Sequence, residues 1–553
     1  MAASDFAARG PGKNRGVVRG EQNGSRSTIV SVTREISHNL ASEPAAVDLR
    51  RAAAPAISPN GKLKRVRPEA MARHSGIVLL GTLAGRGINF IAQIVLSKLL
   101  GLREFGMFTY GSSLLSFLDG VCLGGFSQTT VRYIAVARAQ NRPAEIRKVI
   151  RVALLVMGAL TLIVSAGFFF FSEEIAARVI GQPDLAPVLP WIAVILPVLV
   201  LLSWIGFALR AFREVATEAL IRRMLQPIGL LLIVGALAWF TSLSVSWAMA
   251  ALLTSTVIST FVGLIKLRPH VPKASAEHAA VPTREMLQFT VRVWFSRFSG
   301  LVMNQADRLM IGALSSLSQV GIYHAAFRIA DFQTLAMGSF VPMFSTVIAE
   351  AHGRDDQAAI VHYYRMVVRW SLLVTLPICL ACWVFAEPIL RLFGEEFVAG
   401  VPVLLIIAFA SLVDAGVGPA GQFLQMMNRE KWEMRFLAIA AVTAIALNAI
   451  LIPKYGAMGA ALGSGLAIVG VNLARLLALR KILGVFPYTR LTLRLLALCV
   501  LAYAVVRLAT PWGIWWQAAI LAGVYGAGAA QFCLEKDDRA MLQRFRARLN
   551  VRR

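Results

Sequence analysis

Long apolar segments separated by short polar ones run along the chain from Ser75 onward. Each segment is about 20 residues long, so a helix rising ~1.5 Å per residue would cross a hydrocarbon core about 30 Å thick. The segments lack the alternation of period two that membrane strands show. The pattern therefore predicts an all-α polytopic membrane protein. Its fourteen predicted transmembrane helices lie at 76–100, 105–130, 150–171, 185–209, 219–240, 245–266, 286–313, 319–349, 366–386, 400–426, 433–452, 456–479, 491–509 and 512–533.

Composition and the placement of charge support the same prediction. Hydrophobic residues make up 57% of the 553 positions and charged residues only 16%, whereas soluble domains average about half apolar and about a quarter charged. In a soluble protein the net charge of +26 would suggest a nucleic-acid partner. Here the basic residues concentrate in alternate loops between the predicted helices, so no nucleic acid is predicted as partner. The positive-inside rule then places both termini in the cytoplasm.

The two ends of the chain differ from the membrane part. Residues 1–74 are rich in Ala, Arg, Ser and Gly without a sustained apolar period, which is typical of a disordered cytoplasmic tail. The alternative is that synthesis starts at Met71, immediately before the first predicted helix. Residues 535–553 are predicted to form a basic cytoplasmic tail.

An internal repeat emerges when the sequence is shifted by 215 residues, because predicted helices 1–6 then fall on helices 7–12 without gaps. Six helices per unit is an even number, so the two units share one orientation, as in the parallel repeats of secondary transporters. We predict lobes at 75–284 and 285–484, two extra helices at 485–534, and alternating access at a cavity between the lobes. The matched positions are Gly85 and Gly300, Asn89 and Asn304, Gly106 and Gly321, Pro187–Leu189 and Pro402–Leu404, Gly206 and Gly421, and Glu218 and Glu433.

Polar residues inside the predicted helices mark candidate binding and coupling sites. A charge at membrane depth costs about 2.5–3.5 kcal/mol on insertion scales, so such groups normally face a cavity or a partner. Arginine dominates the set, and its planar fork suits phosphate or carboxylate, which predicts a cationic cavity for an anionic substrate. The alternative is structural pairing, for example between Arg328 and Asp331. The predicted substrate-binding residues are Arg86, Asn89, Gln93, Arg297, Asn304, Arg308 and Arg328, and the predicted ion-coupling residues are Asp119, Asp307 and Asp331.

Motifs of enzymes and of energy-coupling domains are missing from the sequence. It contains no GxxxxGK[ST], no HExxH, and no GxSxG beside a plausible acid and base, so neither an enzyme nor a cofactor or metal site is predicted. Cys379 and Cys382 form a CxxC within a predicted helix, with no second Cys or His pair nearby, and are interpreted as packing residues. Transport would then depend on an ion gradient or on the flux of substrate.

Four places in the sequence carry a family resemblance: residues 99–111, residues 320–326, residues 451–461 and Asp307. They are similar to parts of polysaccharide transporter proteins, the O-antigen and exopolysaccharide flippases of the multidrug, oligosaccharidyl-lipid and polysaccharide exporter superfamily. The resemblance covers about residues 75–533. It implies a flippase that moves an isoprenoid pyrophosphate carrying a sugar repeat unit across a bacterial inner membrane, for lipopolysaccharide or exopolysaccharide biosynthesis. The implied partners are lipid-linked oligosaccharide, membrane lipids, a polysaccharide polymerase and glycosyltransferases.

Three other functions are alternatives. A multidrug or cation antiporter of the same superfamily would favour acidic residues in the lumen, and the excess of arginine argues against it. A flippase for the lipid-linked peptidoglycan precursor also has fourteen helices, although the motifs favour the polysaccharide branch. A membrane-bound polymerase or ligase acting on lipid-linked sugars would typically expose a large periplasmic loop, whereas the predicted outward loops of this chain are short.

Overall fold

The computed structural model describes residues 68–272, 282–334, 347–509, 511 and 513–532, and its main compact unit begins at Ala72. Within these ranges the regular elements are helices, and no strand is present. Helix α1 begins at Pro68, inside the predicted N-terminal tail, whereas residues 1–67 and the predicted tail at 535–553 lie outside these ranges. In chain order the principal helices are α1 (Pro68–Leu123), α2 (Phe126–Ala139), α3 (Pro143–Phe170), α4 (Leu189–Ala211), α5 (Val215–Phe240), α6 (Val245–Leu267), α7 (Thr283–Leu314), α8 (Leu317–Ala330), α9 (Gln357–Val384), α10 (Val401–Val417), α11 (Ala420–Met426), α12 (Glu430–Leu483), α13 (Arg490–Leu508) and α14 (Ile514–Phe532).

Eight helical segments of the described chain are long and apolar enough to cross a membrane. A helix satisfies its own backbone hydrogen bonds, which the hydrocarbon interior demands of any spanning segment. The predicted all-α membrane fold is confirmed, while the total of fourteen transmembrane helices stays a prediction. The eight segments are Pro143–Phe170, Leu189–Ala211, Val215–Phe240, Val245–His270, Gln357–Val384, Glu395–Met426, Glu430–Leu483 and Arg490–Leu508.

Two long helices break at a glycine. In α1 the backbone of Gly101 has φ 74°, and in α12 that of Gly456 has φ 55°. Residues with a Cβ rarely adopt these positive angles, so glycine permits the turn at both places. Helix α1 therefore contains predicted helix 1 and predicted helix 2 as far as Leu123, and α12 contains predicted helices 11 and 12.

Three predicted spans are interrupted, and the prediction of continuous helices is wrong there. The span at 105–130 breaks at Gly124, where φ is 54°, between α1 and α2. The span at 319–349 forms α8 only as far as Ala330 and continues as a 3-10 turn at Asp331–Thr334, and residues 335–346 lie outside the described ranges. The span at 400–426 breaks at Gly418, where φ is 72°, between α10 and α11. Apolar periodicity does not register such local changes of hydrogen bonding, because each span taken as a whole stays mostly apolar.

Backbone geometry repeats at the offset of 215 residues found in the sequence. Arg213 has φ 70° and Asn428 has φ 58°, both in the left-handed region that non-glycine residues seldom occupy. Each of them lies two residues beyond the end of a helix, α4 for Arg213 and α11 for Asn428. The shared conformation supports an equivalence of the two halves that amino-acid identities alone suggested.

The two repeated glutamates, Glu218 and Glu433, are also buried in equivalent surroundings. A Cβ placed on Gly206 would lie 3.3 Å from Cγ of Glu218, and one placed on Gly421 would overlap the carboxylate of Glu433. Each repeated glycine therefore makes room for the glutamate of its own half. The glutamates are neutralised by arginines at non-equivalent positions, in the pairs Arg210–Glu218 (Nη2 to Oε1, 2.7 Å) and Arg475–Glu433 (Nε to Oε2, 3.0 Å).

The two predicted lobes meet at a reciprocal glycine contact. A Cβ on Gly106 would overlap the carbonyl oxygen of Leu317, and a Cβ on Gly321 would lie 3.1 Å from the carbonyl oxygen of Leu102. Since the repeat relates Gly106 to Gly321 and Leu102 to Leu317, each half makes the contact that the other half makes in return. Such reciprocity is what a two-fold axis between the lobes would produce. We refer to this contact as the glycine crossing.

We predict that Gly106→Ala destabilises the protein by about 1–3 kcal/mol, because the added methyl group is forced into a backbone carbonyl. Gly167→Ala is the matched control: Gly167 lies in α3 with open space around its Cα, so alanine should be neutral or slightly stabilising through its helix propensity. The measurement is the apparent melting temperature of purified protein in detergent. Equal melting temperatures for the two variants would contradict the glycine crossing.

Candidate functional site

A cavity of about 400 Å³ lies between the two predicted lobes and is lined by five charged residues. Its walls come from α1 and α5 of the first lobe and from α8 and the following 3-10 turn of the second. Four arginines and one carboxylate line it, so it is strongly cationic. We call it the arginine cavity. Its lining residues are Gly85, Arg86, Asn89, Phe90, Arg222, Arg223, Pro227, Arg328, Asp331 and Phe332.

Arg86 connects the two lobes across this cavity. Its Nη1 lies 3.5 Å from Oδ2 of Asp331, and it donates hydrogen bonds to the Asp331 carbonyl oxygen at 3.3 Å and to Thr334 Oγ1 at 3.2 Å. The carbonyl is available because α8 gives way to the 3-10 turn at this point. The Arg86 side chain remains 37% exposed, so its guanidinium also faces the cavity. Asp331 is therefore bound to an arginine from the other lobe.

The structural alternative for Arg328 is an ion pair with Asp331, one turn away. In the structure its Nε donates to Nε2 of His324 at 3.3 Å, and the ion pair found at Asp331 is the one with Arg86. Arg328 and Asn89 both line the arginine cavity. Four predicted site residues, Arg86, Asn89, Arg328 and Asp331, are thus brought together in one place.

Arg222 and Arg223 are residues of the cavity that the sequence analysis did not propose as site residues. They lie within the predicted span at 219–240, on a π-helical segment, Leu220–Leu225, from which both line the cavity. Gly85 allows the approach, because a Cβ there would overlap the carbonyl oxygen of Arg223. Single π turns inside α-helices are frequent at functional sites. The sequence offered one sign of this contact, the glycine at position 85, which predicts that another segment approaches closely but does not show which one.

Asp119 is joined to the arginine cavity through a hydroxyl group. Ser203 Oγ donates to Oδ2 of Asp119 at 3.0 Å, and Nη2 of Arg222 donates to the same Oγ at 3.3 Å. The predicted ion-coupling residue Asp119 thus lies one side chain away from an arginine of the cavity.

Asp307 is the centre of a second, separate polar cluster. Its Oδ2 accepts a hydrogen bond from the Tyr323 hydroxyl at 2.6 Å, and its Oδ1 accepts from Asn448 Nδ2 at 3.0 Å and from the Ser464 hydroxyl. These partners come from α8 and from both halves of α12. The Oδ1 of Asn448 is buried and has no hydrogen-bond partner among the described residues. A cavity of about 160 Å³ borders the cluster and is lined by Asp307, Tyr323, Ser464 and Asn304 among others; we call it the Asp307 cavity.

The remaining predicted residues lie outside the arginine cavity. Arg308 is buried, with its guanidinium 4.7 Å from the centre of the Phe327 ring and its Nη2 donating to the carbonyl oxygen of Asn304. Arg297 donates from Nη1 to Ser127 Oγ at 3.0 Å, a contact between α7 and α2. Gln93 is buried in α1, and its Oε1 has no partner among the described residues. The structure thus divides the predicted set between two cavities and the helix contacts around them.

Comparison with known proteins identifies the family. The family model described as "Polysaccharide biosynthesis protein" matches residues 71–349, just over half of the 553 positions. The chain belongs to this family. A second family model, MatE, matches residues 293–450. Together with the apolar helices, the family places this chain among multi-pass membrane proteins.

Curated relatives are similar over part of the chain. The probable low-salt glycan biosynthesis flippase Agl15 of Haloferax volcanii is 25% identical over 218 residues, which are 39% of this chain and 45% of that protein. The chain therefore aligns with less than half the length of that relative. The succinoglycan biosynthesis transport protein ExoT of Rhizobium meliloti is 23% identical over 401 residues, which are 70% of this chain and 76% of that protein.

Solved structures share the fold. The lipid II flippase MurJ in an inward closed conformation has a TM-score of 0.66 at 15% identity, over 82% of this chain and 98% of that one. The inward-facing conformation of a multidrug resistance MATE family transporter of the MOP superfamily has a TM-score of 0.63 at 13% identity, over 72% of this chain and 94% of that one. At these identities the likeness concerns the fold alone.

We predict that Tyr323→Phe destabilises the protein by about 1–3 kcal/mol, because Asp307 would lose a buried hydrogen bond while staying desolvated. Tyr455→Phe is the control, since Tyr455 is 56% exposed and far less desolvated. Thermal unfolding of both variants in the same detergent gives the comparison. A Tyr323→Phe variant as stable as Tyr455→Phe would show that the Asp307 cluster does not hold these helices together.

Proposed function

We propose that the protein is a flippase that moves a lipid-linked oligosaccharide, an isoprenoid pyrophosphate carrying a sugar repeat unit, across a bacterial inner membrane for surface polysaccharide biosynthesis. The observation that carries the proposal is the arginine cavity, in which Arg86, Arg222, Arg223 and Arg328 surround a space between two lobes of a polysaccharide biosynthesis protein. Arginine forks pair with phosphate oxygens in a bidentate manner. The names of the relatives, a glycan biosynthesis flippase and a succinoglycan transport protein, agree with this substrate class.

The mechanism we propose is alternating access by rocking of the two lobes. The cavity is built from both lobes, and the Arg86–Asp331 pair joins them across it, so any relative movement of the lobes changes the spacing of its charges. A pyrophosphate bound among the arginines competes with Asp331 for Arg86. Substrate binding then weakens the contact between the lobes on this side, while the glycine crossing keeps them together elsewhere. Both termini lie in the cytoplasm in this proposal, and a polymerase and glycosyltransferases act beside the flippase.

A multidrug or cation antiporter fits the cavity poorly, because a cationic substrate would be repelled by four arginines facing one carboxylate. A flippase for the peptidoglycan precursor shares the pyrophosphate chemistry, and genetic complementation distinguishes it from the polysaccharide flippase.

We predict that the wild-type chain restores surface polysaccharide to a bacterial strain lacking its own polysaccharide flippase, and that Arg86→Ala or Arg222→Ala lowers the restored amount at least about tenfold, as expected for a lost charge-assisted contact. Arg435→Ala is the control, since it removes an exposed arginine that lines neither cavity. Arg86→Lys should restore an amount of surface polysaccharide between those of the wild type and Arg86→Ala, because lysine keeps the charge but lacks the planar guanidinium. Surface polysaccharide is quantified at matched membrane expression.

Two outcomes of this experiment would contradict the proposal. One is restoration by Arg86→Ala and Arg222→Ala to the level of the wild type. The other is rescue by the wild type of a strain lacking its peptidoglycan precursor flippase, combined with failure in strains that make several different surface polysaccharides.

We further propose that Asp307 binds the coupling cation, Na⁺ or H⁺. The support is a carboxylate beside the Ser464 hydroxyl and the unpartnered Asn448 Oδ1, a set of oxygen atoms next to a small cavity. Oxygen atoms are the ligands that hard cations prefer. Asp331 is the weaker candidate because it is paired with Arg86, and Asp119 is weaker because its partner Ser203 also accepts a hydrogen bond from Arg222, which places a positive charge nearby.

We predict that the melting temperature of the wild type rises when NaCl replaces choline chloride, or changes with pH between about 5.5 and 8, because a cation that binds the native state stabilises it. Asp307→Asn should abolish that dependence, since an amide carries no negative charge. Asp184→Asn is the control, because it also removes a carboxylate, but one that forms an exposed ion pair with Arg103. A dependence that persists in Asp307→Asn would contradict this assignment.

A further inference from the structure

A third cavity, of about 510 Å³, lies where α9 and α13 begin. It shares no lining residue with the arginine cavity or the Asp307 cavity. We call it the α9 cavity. Its lining residues are Gln357, Ala358, Val361, His362, Arg365, Met366, Arg369 and Thr489.

The α9 cavity is basic on one helix face. His362, Arg365 and Arg369 follow one another at i, i+3 and i+7, so their side chains share one side of α9. None of the eight described residues that line the cavity is acidic. The Nε of Arg365 is buried and has no hydrogen-bond partner among the described residues. A donor withdrawn from water without an acceptor is costly, and an anion in the cavity would supply one.

The opposite face of the same helical turns is fixed in the core. Ile360, Tyr364, Val367 and Val368 are all buried in one apolar cluster with residues of α11, α12 and α13. The Tyr364 hydroxyl also donates to the carbonyl oxygen of Val417 at 3.1 Å. The helix that carries the basic face is therefore held in position by packing.

The cavity lies at the boundary of the membrane. Both α9 and α13 belong to candidate membrane spans, and the cavity is lined by the first turns of α9 and by Thr489, which directly precedes α13. The first turns of α13 add two exposed arginines, Arg490 and Arg494, beside the exposed apolar side chain of Leu493. Basic residues directly above an apolar surface match a lipid, whose headgroup is anionic and whose tails are apolar.

We propose that the α9 cavity binds the phosphate of an anionic phospholipid headgroup in the leaflet that adjoins this end of the helices. Arg365 and His362 provide donors to the phosphate oxygens, Met366 lies beside the start of the acyl chains, and Arg490 and Arg494 attract the headgroup electrostatically. Basic pockets between membrane helices bind anionic headgroups in this way. The inference does not depend on what the arginine cavity transports.

The test uses full-length protein reconstituted with an equal mixture of phosphatidylglycerol and phosphatidylethanolamine, then extracted in mild detergent. Native mass spectrometry counts the lipid retained. The wild type should retain phosphatidylglycerol in preference, and Arg365→Ala should lower its retention about tenfold, as expected for one lost charge-assisted hydrogen bond. Ala358→Trp, which fills the cavity and leaves its charge unchanged, should lower it as well. Arg435→Ala, which removes an exposed arginine elsewhere on α12, should leave it unchanged.

A second arm separates the lipid from soluble phosphate. Excess inorganic phosphate added after extraction should leave the retained phosphatidylglycerol in place, because a free ion lacks the acyl chains that hold the lipid. The proposal is overturned if the wild type shows no preference for phosphatidylglycerol, or if Arg435→Ala loses as much as Arg365→Ala. It is equally overturned if the cavity takes up inorganic phosphate in an Arg365-dependent manner and retains no lipid. Melting temperatures of the variants confirm that each is folded.

Discussion

The ion pair between Arg86 and Asp331 is the interaction on which the candidate site depends. A guanidinium inside a membrane protein must be paired or solvated, since its desolvation costs several kcal/mol. The fold meets this requirement by interrupting α8 after Ala330, so that the carboxylate and the carbonyl of Asp331 both point to Arg86. Helix breaks at membrane depth are tolerated where they line a polar cavity. The break in α8 therefore supplies the acceptors that the charge of Arg86 requires, and both features line the cavity between the lobes.

Glycine determines where the lobes can approach each other. At the glycine crossing, two backbones touch in a reciprocal manner, which holds the halves at one fixed distance. Within the first lobe, Gly85 likewise permits a close contact, because it lets α1 lie against the backbone of Arg223. Because the glycine crossing is tight and the arginine cavity is open, movement between the lobes meets less resistance at the cavity. This difference in packing supports the proposed rocking, since small residues permit close helix contact.

The sequence predicted the parts of this structure that depend on local pattern. Apolar segments predicted the helices, and the shift of 215 residues predicted equivalences that reappear in the backbone angles of Arg213 and Asn428. Polar residues at membrane depth predicted four members of the arginine cavity. What depends on contacts between distant segments was missed. The π turn that directs Arg222 and Arg223 inward has no periodic signature, and the choice of Arg86 over Arg328 as partner of Asp331 requires the two lobes to be assembled.

Helix α8 connects the two candidate sites, and a transporter driven by an ion needs such a connection. Tyr323 of α8 holds Asp307 at 2.6 Å, and one to two turns further along the same helix Arg328 lines the arginine cavity. The helix then ends in the turn that carries Asp331, the partner of Arg86. An ion can drive transport only through a difference in its affinity for two conformations, and the substrate must sense the same two conformations. The middle of α8 lies at the Asp307 cluster and its end at the arginine cavity, so under the proposed mechanism this one helix suffices to couple the ion to the substrate.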